Sequence, residues 1–364
     1  MKDDGLQSVL IIGTGLLGAS LGLALSAAHI RCYLQDSSPT ALALARDMGA
    51  GTELFEGAQP QLVVVCVPPD VAGTCVGAAL KAYPHAVVTD VASVKQTVLQ
   101  EVQESGADTS RYVGSHPMAG RERSGPDAAD RDLFTGRPWI VVPHEKTDGR
   151  AKKMVQEVID LVGAVARELD ASEHDRAVAL VSHVPQLAAS LLAARLEGAD
   201  PAALSLAGQG LRDTTRIARS NPALWAAIIS ANSAAVAGVL EQLRADLDYL
   251  IEGLQAEKPA GLDVPGRART VATVVSSGNA GVDRIPGKHG GAPKRYTELS
   301  VLVPDEPGEL GRLFSEMGEE NINLEDLSLE HSAGAALGIA RLQVLPANAT
   351  PLARALTKRG WQVV

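Results

Sequence analysis

Positive charge is in short supply in this chain. Across 364 residues, 33 Lys and Arg face 43 Asp and Glu, leaving a net charge of -10. No broad basic surface is available for a phosphate backbone, so nucleic acid is excluded as an expected partner. Cysteine is scarce too. Cys32, Cys66 and Cys75 are odd in number and lie in or beside apolar runs, where cysteine acts as a small buried hydrophobe. That argues against a disulfide framework and for a reducing, cytoplasmic setting. The opening MKDDG carries two acids and no basic leader before the first apolar run, which is not a secretory signal pattern. The sequence shows no internal repeat, heptad run or metal-ligand cluster. What remains, 46% hydrophobic and 21% charged residues, is the composition of a well-cored globular protein of two or three domains.

One apolar run needs explaining. From Val9 to Ile30 no residue is charged, a length that could cross a bilayer. Its glycines give it another meaning, and no membrane partner is expected. Val9 to Ile12 reads as a short strand buried on both faces, followed by Gly13, Gly15 and Gly18 and then by an Ala- and Leu-rich helix that packs on the sheet. In this G-x-G-x-x-G pattern Gly13 permits the tight turn, Gly15 lets a pyrophosphate approach the backbone, and Gly18 lets helix and strand pack closely. The amides of Leu16 and Leu17 then open the helix toward the phosphates. A second strand, IRCYLQD, closes on Asp36, 18 residues after Gly18, where an acid can accept both ribose hydroxyls of an adenosine. A 2'-phosphate would want arginine there, so NAD is expected rather than NADP. Asp36 also suits the turn that runs from it to Pro39, and the two roles are compatible.

QLVVVCVPP, AVVTDVASVK, RYVGSHPMAG and RPWIVVP continue the alternation of strand and helix that makes a doubly wound sheet. Ligands in such sheets sit beyond the carboxyl ends of strands, where Pro68, Ser93 and His116 fall. From Lys152 to Leu254 the pattern is almost wholly helical, with Pro185 expected to kink one helix and Asp175, Ser182, His183 and Gln186 interrupting its apolar face. Long Ala-rich helices there would leave apolar surface on a monomer, so a homodimer through this region is expected. Composition shifts to Gly, Pro and polar residues after Lys258, marking a linker. In it GKHGG lacks the register and the following Ser or Thr of a phosphate loop. Beyond it the pattern reads strand, helix, strand, strand, helix, strand.

TDVASVK, GSHPMAGRERSG and LRDTTRIARSNPALW, in that order, together resemble the prephenate dehydrogenase family of tyrosine biosynthesis. DEPGELGRLF followed by NINLEDL resembles an ACT domain, the small amino-acid-sensing module. The resemblance implies an α/β doubly wound dinucleotide-binding domain over 1–148, an all-helical dimerisation domain over 149–256, a linker over 257–294 and an α+β (βαββαβ) ACT domain over 295–364. It implies oxidative decarboxylation of prephenate with hydride passing to NAD, or of arogenate in its place; a neutral Gln186 tilts toward prephenate. A non-catalytic sensor of NAD and amino acids is the reading from a different class, and homoserine dehydrogenase is a further enzyme built from similar parts.

Site roles follow from the same resemblance. His116 would take the substrate hydroxyl proton, a task suited to a neutral imidazole near neutral pH. Ser93 would bond both His116 and that hydroxyl. Arg216, aided by Arg212 on one helix face if that helix is continuous, would grip a carboxylate. Gln186 stands where relatives often carry a histidine against the substrate side chain, and Trp225 matches an aromatic that approaches the site from a neighbouring subunit. ACT domains in the resemblance pair and bind amino acids between subunits, and here the turn at Asp305 to Gly308 on one side and the nearby loop at Asn321 to Asn323 would hold tyrosine as effector. Structural alternatives stand beside these roles: His116 as a strand-end histidine, Ser93 as the cap of a helix beginning near Val94, His183 as a bonded core histidine, the arginines as solvated charges beside Asp213, Trp225 as core or dimer contact, and the C-terminal module as a purely structural dimerisation domain.

Overall fold

The computed structural model describes residues 5–120, 125–256, 265–286, 296–331 and 337–364. Residues 121–124 of the GSHPMAGRERSG motif, and residues 257–264 and 287–294 of the expected linker with its GKHGG, lie outside the described residues. The chain divides into two compact units, residues 1–199 with 214–243, and residues 200–213 with 244–364.

The first unit is built on an eight-stranded sheet. Its strands are β1 (Ser8–Ile12), β2 (Arg31–Gln35), β3 (Thr52–Glu53), β4 (Leu62–Val65), β5 (Val87–Asp90), β6 (Tyr112–Pro117), β7 (Pro138–Val142) and β8 (Val165–Glu168). They lie in the order β3-β2-β1-β4-β5-β6-β7-β8. Every neighbouring pair is parallel except β6 and β7, so the expected doubly wound sheet carries one antiparallel step. All four residues of β4 and of β5 are buried because helices cover both faces: α1 (Leu16–Ala27), α2 (Pro39–Asp47), α3 (Pro69–Ala82), α4 (Gln96–Glu104) and α5 (Gly149–Leu161). Alternate strand residues feed opposite layers. Val9, Ile11, Val64 and Val113 join one core with α1 and α5, while Leu10, Val63, Val65 and Val88 join the other with α3 and α4. The sheet reaches past the expected boundary at residue 148, since α5 buries Met154, Val155, Val158 and Ile159 in the first core and β8 pairs with β7. The order reverses between β1 and β4, which opens the crevice where such sheets bind ligands.

Helices follow the sheet. α6 (Ala171–Val178) starts with a capping box from Asp170 and Glu173, and α7 (Val184–Ala194) holds Pro185. The expected kink takes the form of a π-helical turn over Ala179–His183. Proline has no amide hydrogen to bond the carbonyl four residues back, so the preceding turn widens. α8 (Pro201–Leu204), α9 (Gln209–Thr215), a 3-10 turn at Arg216–Ala218, α10 (Pro222–Ala231) and the 23-residue α11 (Ser233–Gln255) come next. α10 and α11 meet at a bend of 94°. The run Ala171–Ala194 is apolar and long enough to cross a membrane, and only a third of it is buried (33%). Its buried polar residues, His174, Asp175, His183 and Gln186, face the protein interior, and its exposed apolar ones include Leu180, Val181 and Leu191.

In the second unit, residues 265–282 of the expected linker form a helix, α12 (Pro265–Val282). Gly253 makes room for it, since a Cβ there would stand 2.5 Å from Thr270 Oγ1. The C-terminal module comprises β9 (Thr297–Pro304), α13 (Glu309–Glu319), β10 (Asp326–His331), β11 (Leu337–Val344), α14 (Pro346–Lys358) and β12 (Gln362–Val363), in the strand, helix, strand, strand, helix, strand order expected. Its sheet runs β10-β11-β9-β12, antiparallel throughout. Val301, Val303, Leu313, Met317, Leu342 and Leu356 form its core.

Candidate active site

The glycine turn is built as its spacing requires. Gly13 has φ of +96°, and a Cβ on it would stand 2.4 Å from Cys66 O; a Cβ on Gly18 would stand 1.9 Å from Gly13 O. Both positions exclude a side chain. Gly15 is the N-cap of α1 and has nothing within 4 Å of where its Cβ would be, a clear space directly over the first-turn amides, including those of Leu16 and Leu17. Asp36, at the end of β2, accepts from Thr14 N (2.6 Å) and Thr14 Oγ1 (2.9 Å) on one oxygen and from Ser38 N (2.7 Å) on the other. The carboxylate thus belongs both to its own turn and to the glycine loop, and its partly exposed oxygens have lone pairs left for ribose hydroxyls. Pro68, the N-cap of α3, is exposed at the end of β4. A dinucleotide fits this donor set: open helix amides for its phosphates and an acid for its ribose.

His116 stands on β6 with its ring partly buried. Its Nδ1 is 2.9 Å from His174 Nε2, and His174 Nδ1 is 2.8 Å from Asp175 Oδ1. An ionised carboxylate only accepts, so His174 Nδ1 carries a hydrogen; in a neutral His174 the other nitrogen accepts, and His116 Nδ1 must donate to it. The lone pair of His116 is therefore left on Nε2, which has no hydrogen-bond partner among the described residues. Burial, then the neighbouring His174, Lys95 and His183, hold its pKa well below the ordinary 6.5 of histidine. The ring is poised as a neutral base.

Asp175 does more than orient His174. Its carboxylate also accepts from the backbone amides of Lys95 (2.8 Å) and Gln96 (2.9 Å), so a residue from α6 caps the N-terminus of α4. Beneath lies a buried ion pair. Lys95 Nζ donates to Asp90 Oδ1 and to Ser115 O (2.8 Å), the carbonyl just before His116, and Tyr112 Oη donates to Asp90 Oδ2 (2.8 Å). Burial pulls the Lys95 pKa down while Asp90 works against it. The strand ends of β5 and β6 are thereby clamped together under the imidazole.

Several expectations need correction. Ser93 does not bond His116: its Oγ is buried and has no hydrogen-bond partner among the described residues, and His174 supplies the partner expected of it. Nor does Ser93 cap α4, which starts at Gln96 with Asp175 as its cap. Arg212 and Arg216 do not share a continuous helix, because α9 ends at Thr215 and a 3-10 turn begins at Arg216; both side chains are exposed. Gln186 is buried, accepting from Ser220 Oγ (3.3 Å) and donating to Ser190 Oγ (3.4 Å). Trp225 meets the His183 ring edge-on, 6.1 Å between centroids. In the C-terminal module Gly308 takes a left-handed conformation (φ 95°) at the start of α13, near Asp305. Asn321 (φ 53°) follows the other end of that 11-residue helix, about 16 Å away. Sequence reasoning missed His174, Asn232, Asp90 and Lys95 as site residues, and took Asp175 only as a break in an apolar face. The available signal was polar residues inside apolar runs, SEHD and TDVASVK.

A glycine-rich turn at a sheet switch point, an acid closing the second strand and a neutral imidazole at a nearby strand end define a dinucleotide-dependent dehydrogenase. The comparisons narrow the class. Residues 21–168 match the nucleotide-binding domain of prephenate dehydrogenase and residues 170–263 its dimerization domain. A protein of Streptomyces niveus named as a probable prephenate dehydrogenase, NovF, is 36% identical over 361 residues, covering 98% of this chain and 99% of its own. The cyclohexadienyl dehydrogenase of Zymomonas mobilis is 30% identical over 70% of this chain and 95% of its own. The crystal structure of prephenate dehydrogenase from A. aeolicus in complex with hydroxyphenyl propionate and NAD+ superposes with a TM-score of 0.67 at 27% identity, covering 78% of this chain and 99% of that one. The chain belongs to the prephenate dehydrogenase family.

Proposed function

We infer that the chain catalyses the NAD-dependent oxidative decarboxylation of prephenate to 4-hydroxyphenylpyruvate in tyrosine biosynthesis. The observation that carries this is the His116–His174–Asp175 chain, which leaves a lone pair on His116 Nε2. When bound, NAD supplies the acceptor for hydride. The chain's own residues do the rest. His116 Nε2 takes the proton of the substrate's 4-hydroxyl as hydride leaves the carbon that bears it, and gives that proton back to the oxygen as the ring carboxylate departs as carbon dioxide and the ring becomes aromatic. Ser93 Oγ, buried without a partner among the described residues, holds that hydroxyl. Arg216, with Arg212 in a lesser role, meets a carboxylate, while Gln186 and Trp225 border the substrate side chain. The helix amides behind Gly13, Gly15 and Gly18, Asp36 and Pro68 hold the cofactor. Reduction of NAD on adding prephenate, followed at the nicotinamide absorbance, tests the reading; no reduction with either prephenate or arogenate removes it.

Arogenate is the second reading, favoured by the likeness to a cyclohexadienyl dehydrogenase, and side-by-side kinetics with the two compounds decide between them. A homodimer forms through the helical region, which matches a dimerization domain and exposes Leu180, Val181, Leu191 and Leu247. The C-terminal module is an ACT domain that binds tyrosine, a reading supported by its strand order and the left-handed Gly308 opening α13. Since Asp305 and Gly308 lie at the opposite end of α13 from Asn321, the two groups meet only if modules of two chains pair. Truncation near Lys294 should abolish non-competitive inhibition by tyrosine; equal inhibition of both forms would make the module structural. The unpaired Cys32, Cys66 and Cys75 suit a reducing cytoplasm.

A further inference from the structure

Asn232 follows α10 at its sharp corner with α11, and its side chain is buried. Its Nδ2 lies 2.8 Å from Asp175 O and 3.1 Å from His183 Nδ1. A carbonyl oxygen only accepts, so the group facing Asp175 O is the NH2 and not the amide oxygen. The second hydrogen of that NH2 points to His183 Nδ1, which must therefore carry a lone pair. A neutral His183 then has its hydrogen on Nε2.

His183 is 1% exposed, and among the described residues its Nε2 has no hydrogen-bond partner. That nitrogen is not one of the fully buried side-chain atoms left without a bond, so its N–H keeps an opening through which it can be paired. The ring has neighbours that belong to a substrate pocket. Trp225 packs against its edge, Gln186 lies three residues on along the same face, and His116 is close enough for His183 to depress its pKa. The charged and titratable groups around His183 are Asp175, which favours its protonation, and His174, which opposes it; burial outweighs both and brings its pKa to about 4. The ring therefore stays neutral, with one donor and one acceptor, at any pH well above that value.

We propose that His183 is a fixed hydrogen-bond donor of the substrate pocket, offering Nε2–H to a carboxylate or carbonyl oxygen of the substrate, and that Asn232 is the positioning residue that sets its tautomer. The substrate half rests on the dehydrogenase reading; the tautomer half does not.

Nitrogen NMR of the full-length enzyme with labelled histidine tests both halves, the His183 signals being identified by their loss in His183→Gln. The expected result is a hydrogen on Nε2, a bare Nδ1 and no protonation until pH approaches 4. Adding hydroxyphenyl propionate, the compound bound in the A. aeolicus relative, should shift Nε2 and leave Nδ1 in place. In kinetics, His183→Phe keeps a ring against Trp225 without the donor and should raise KM roughly tenfold with a smaller effect on kcat, while His183→Gln, whose NH2 can stand near Nε2, recovers most of the loss. Asn232→Asp puts an acceptor where the donor was, should draw the hydrogen to Nδ1, and should then behave like His183→Phe. A hydrogen on Nδ1 in the wild type, an unmoved Nε2 signal on ligand binding, an unchanged KM in His183→Phe, or equal falls in kcat for the Phe and Gln variants would each overturn the proposal. If the wild type fails to reduce NAD with prephenate or arogenate, the functional reading has failed, and the tautomer measurement still decides the role of Asn232.

Discussion

Replacing His174 with phenylalanine separates the His116–His174–Asp175 chain into its parts. His174 is fully buried, and Phe keeps a ring in its place while removing both nitrogens. Asp175 loses the Nδ1–H but retains the amides of Lys95 and Gln96, so the start of α4 survives. His116 loses the acceptor that holds its hydrogen on Nδ1. A neutral hydrogen bond contributes about 0.5 to 1.5 kcal/mol, so the fraction of His116 with a bare Nε2, and kcat with it, should fall roughly three- to tenfold. Stability should drop by about 1 to 3 kcal/mol for the stranded Nδ1–H. The pH profile moves as well. His116 works when neutral, so activity is present above its folded pKa and is lost as pH falls through it, and that pKa lies well below 6.5 partly because of His174. His174→Phe should therefore shift the acid limb of kcat/KM upward. His116→Asn, by contrast, should cost two to four powers of ten, about the worth of a positioned base, and leave no limb to shift. Steady-state NAD reduction across pH, with urea unfolding of each variant, reads all of these quantities. Wild-type kcat and an unmoved acid limb in His174→Phe would refute the tautomer argument. A loss as deep as that of His116→Asn would mean that His174 acts in the chemistry itself.

Four further outcomes follow from the same geometry. Asp36→Ala should narrow the preference for NAD over NADP mainly by weakening NAD, and because Asp36 also ties down Thr14 it should soften the loop; wild-type turnover with NADP equal to that with NAD would remove the assignment. Gly15→Ala should fold normally, with open space at its Cβ, yet bind NAD more weakly, whereas Gly18→Ala should unfold first, its Cβ falling on Gly13 O; calorimetry and NAD titration distinguish the two, and an unaltered NAD affinity in Gly15→Ala would deny the phosphate role. Arg216→Ala should raise KM for prephenate about ten- to a hundredfold, for loss of a charge-assisted contact worth about 1.5 to 3 kcal/mol, with Arg212→Ala smaller; an unchanged KM returns Arg216 to a solvated charge. Both His116 and His183 have depressed pKa values, so the unfolded chain takes up protons first as pH falls below 6.5 and stability declines from there. The His183 share should level off near pH 4, and urea midpoints independent of pH over that interval would contradict both neutral rings.

The nucleotide half of this protein is legible residue by residue because its determinants are local. Gly13, Gly15 and Gly18 act within one turn, Asp36 closes the next strand, and the uncharged runs of β4 and β5 announce burial on both faces. The periodicity of the C-terminal module likewise identifies its six elements in order, and the GSHP motif puts His116 at a strand end. What surrounds His116 was decided elsewhere. Asp175, distant in sequence from Lys95, caps α4 only because α6 packs there, and His174 reaches His116 across 58 positions of chain. Asn232 sets the His183 ring from 49 positions away. No spacing rule links such residues, since they meet through the packing of helices on a sheet and not through a turn of one element. The bond expected between Ser93 and His116 failed for that reason: the motif brings two strand ends into one crevice, and the tertiary structure chooses which side chain completes the hydrogen bond. The same limit explains the helix α12 in a segment whose composition reads as linker, because its partner surface, the open face at Gly253, belongs to another helix.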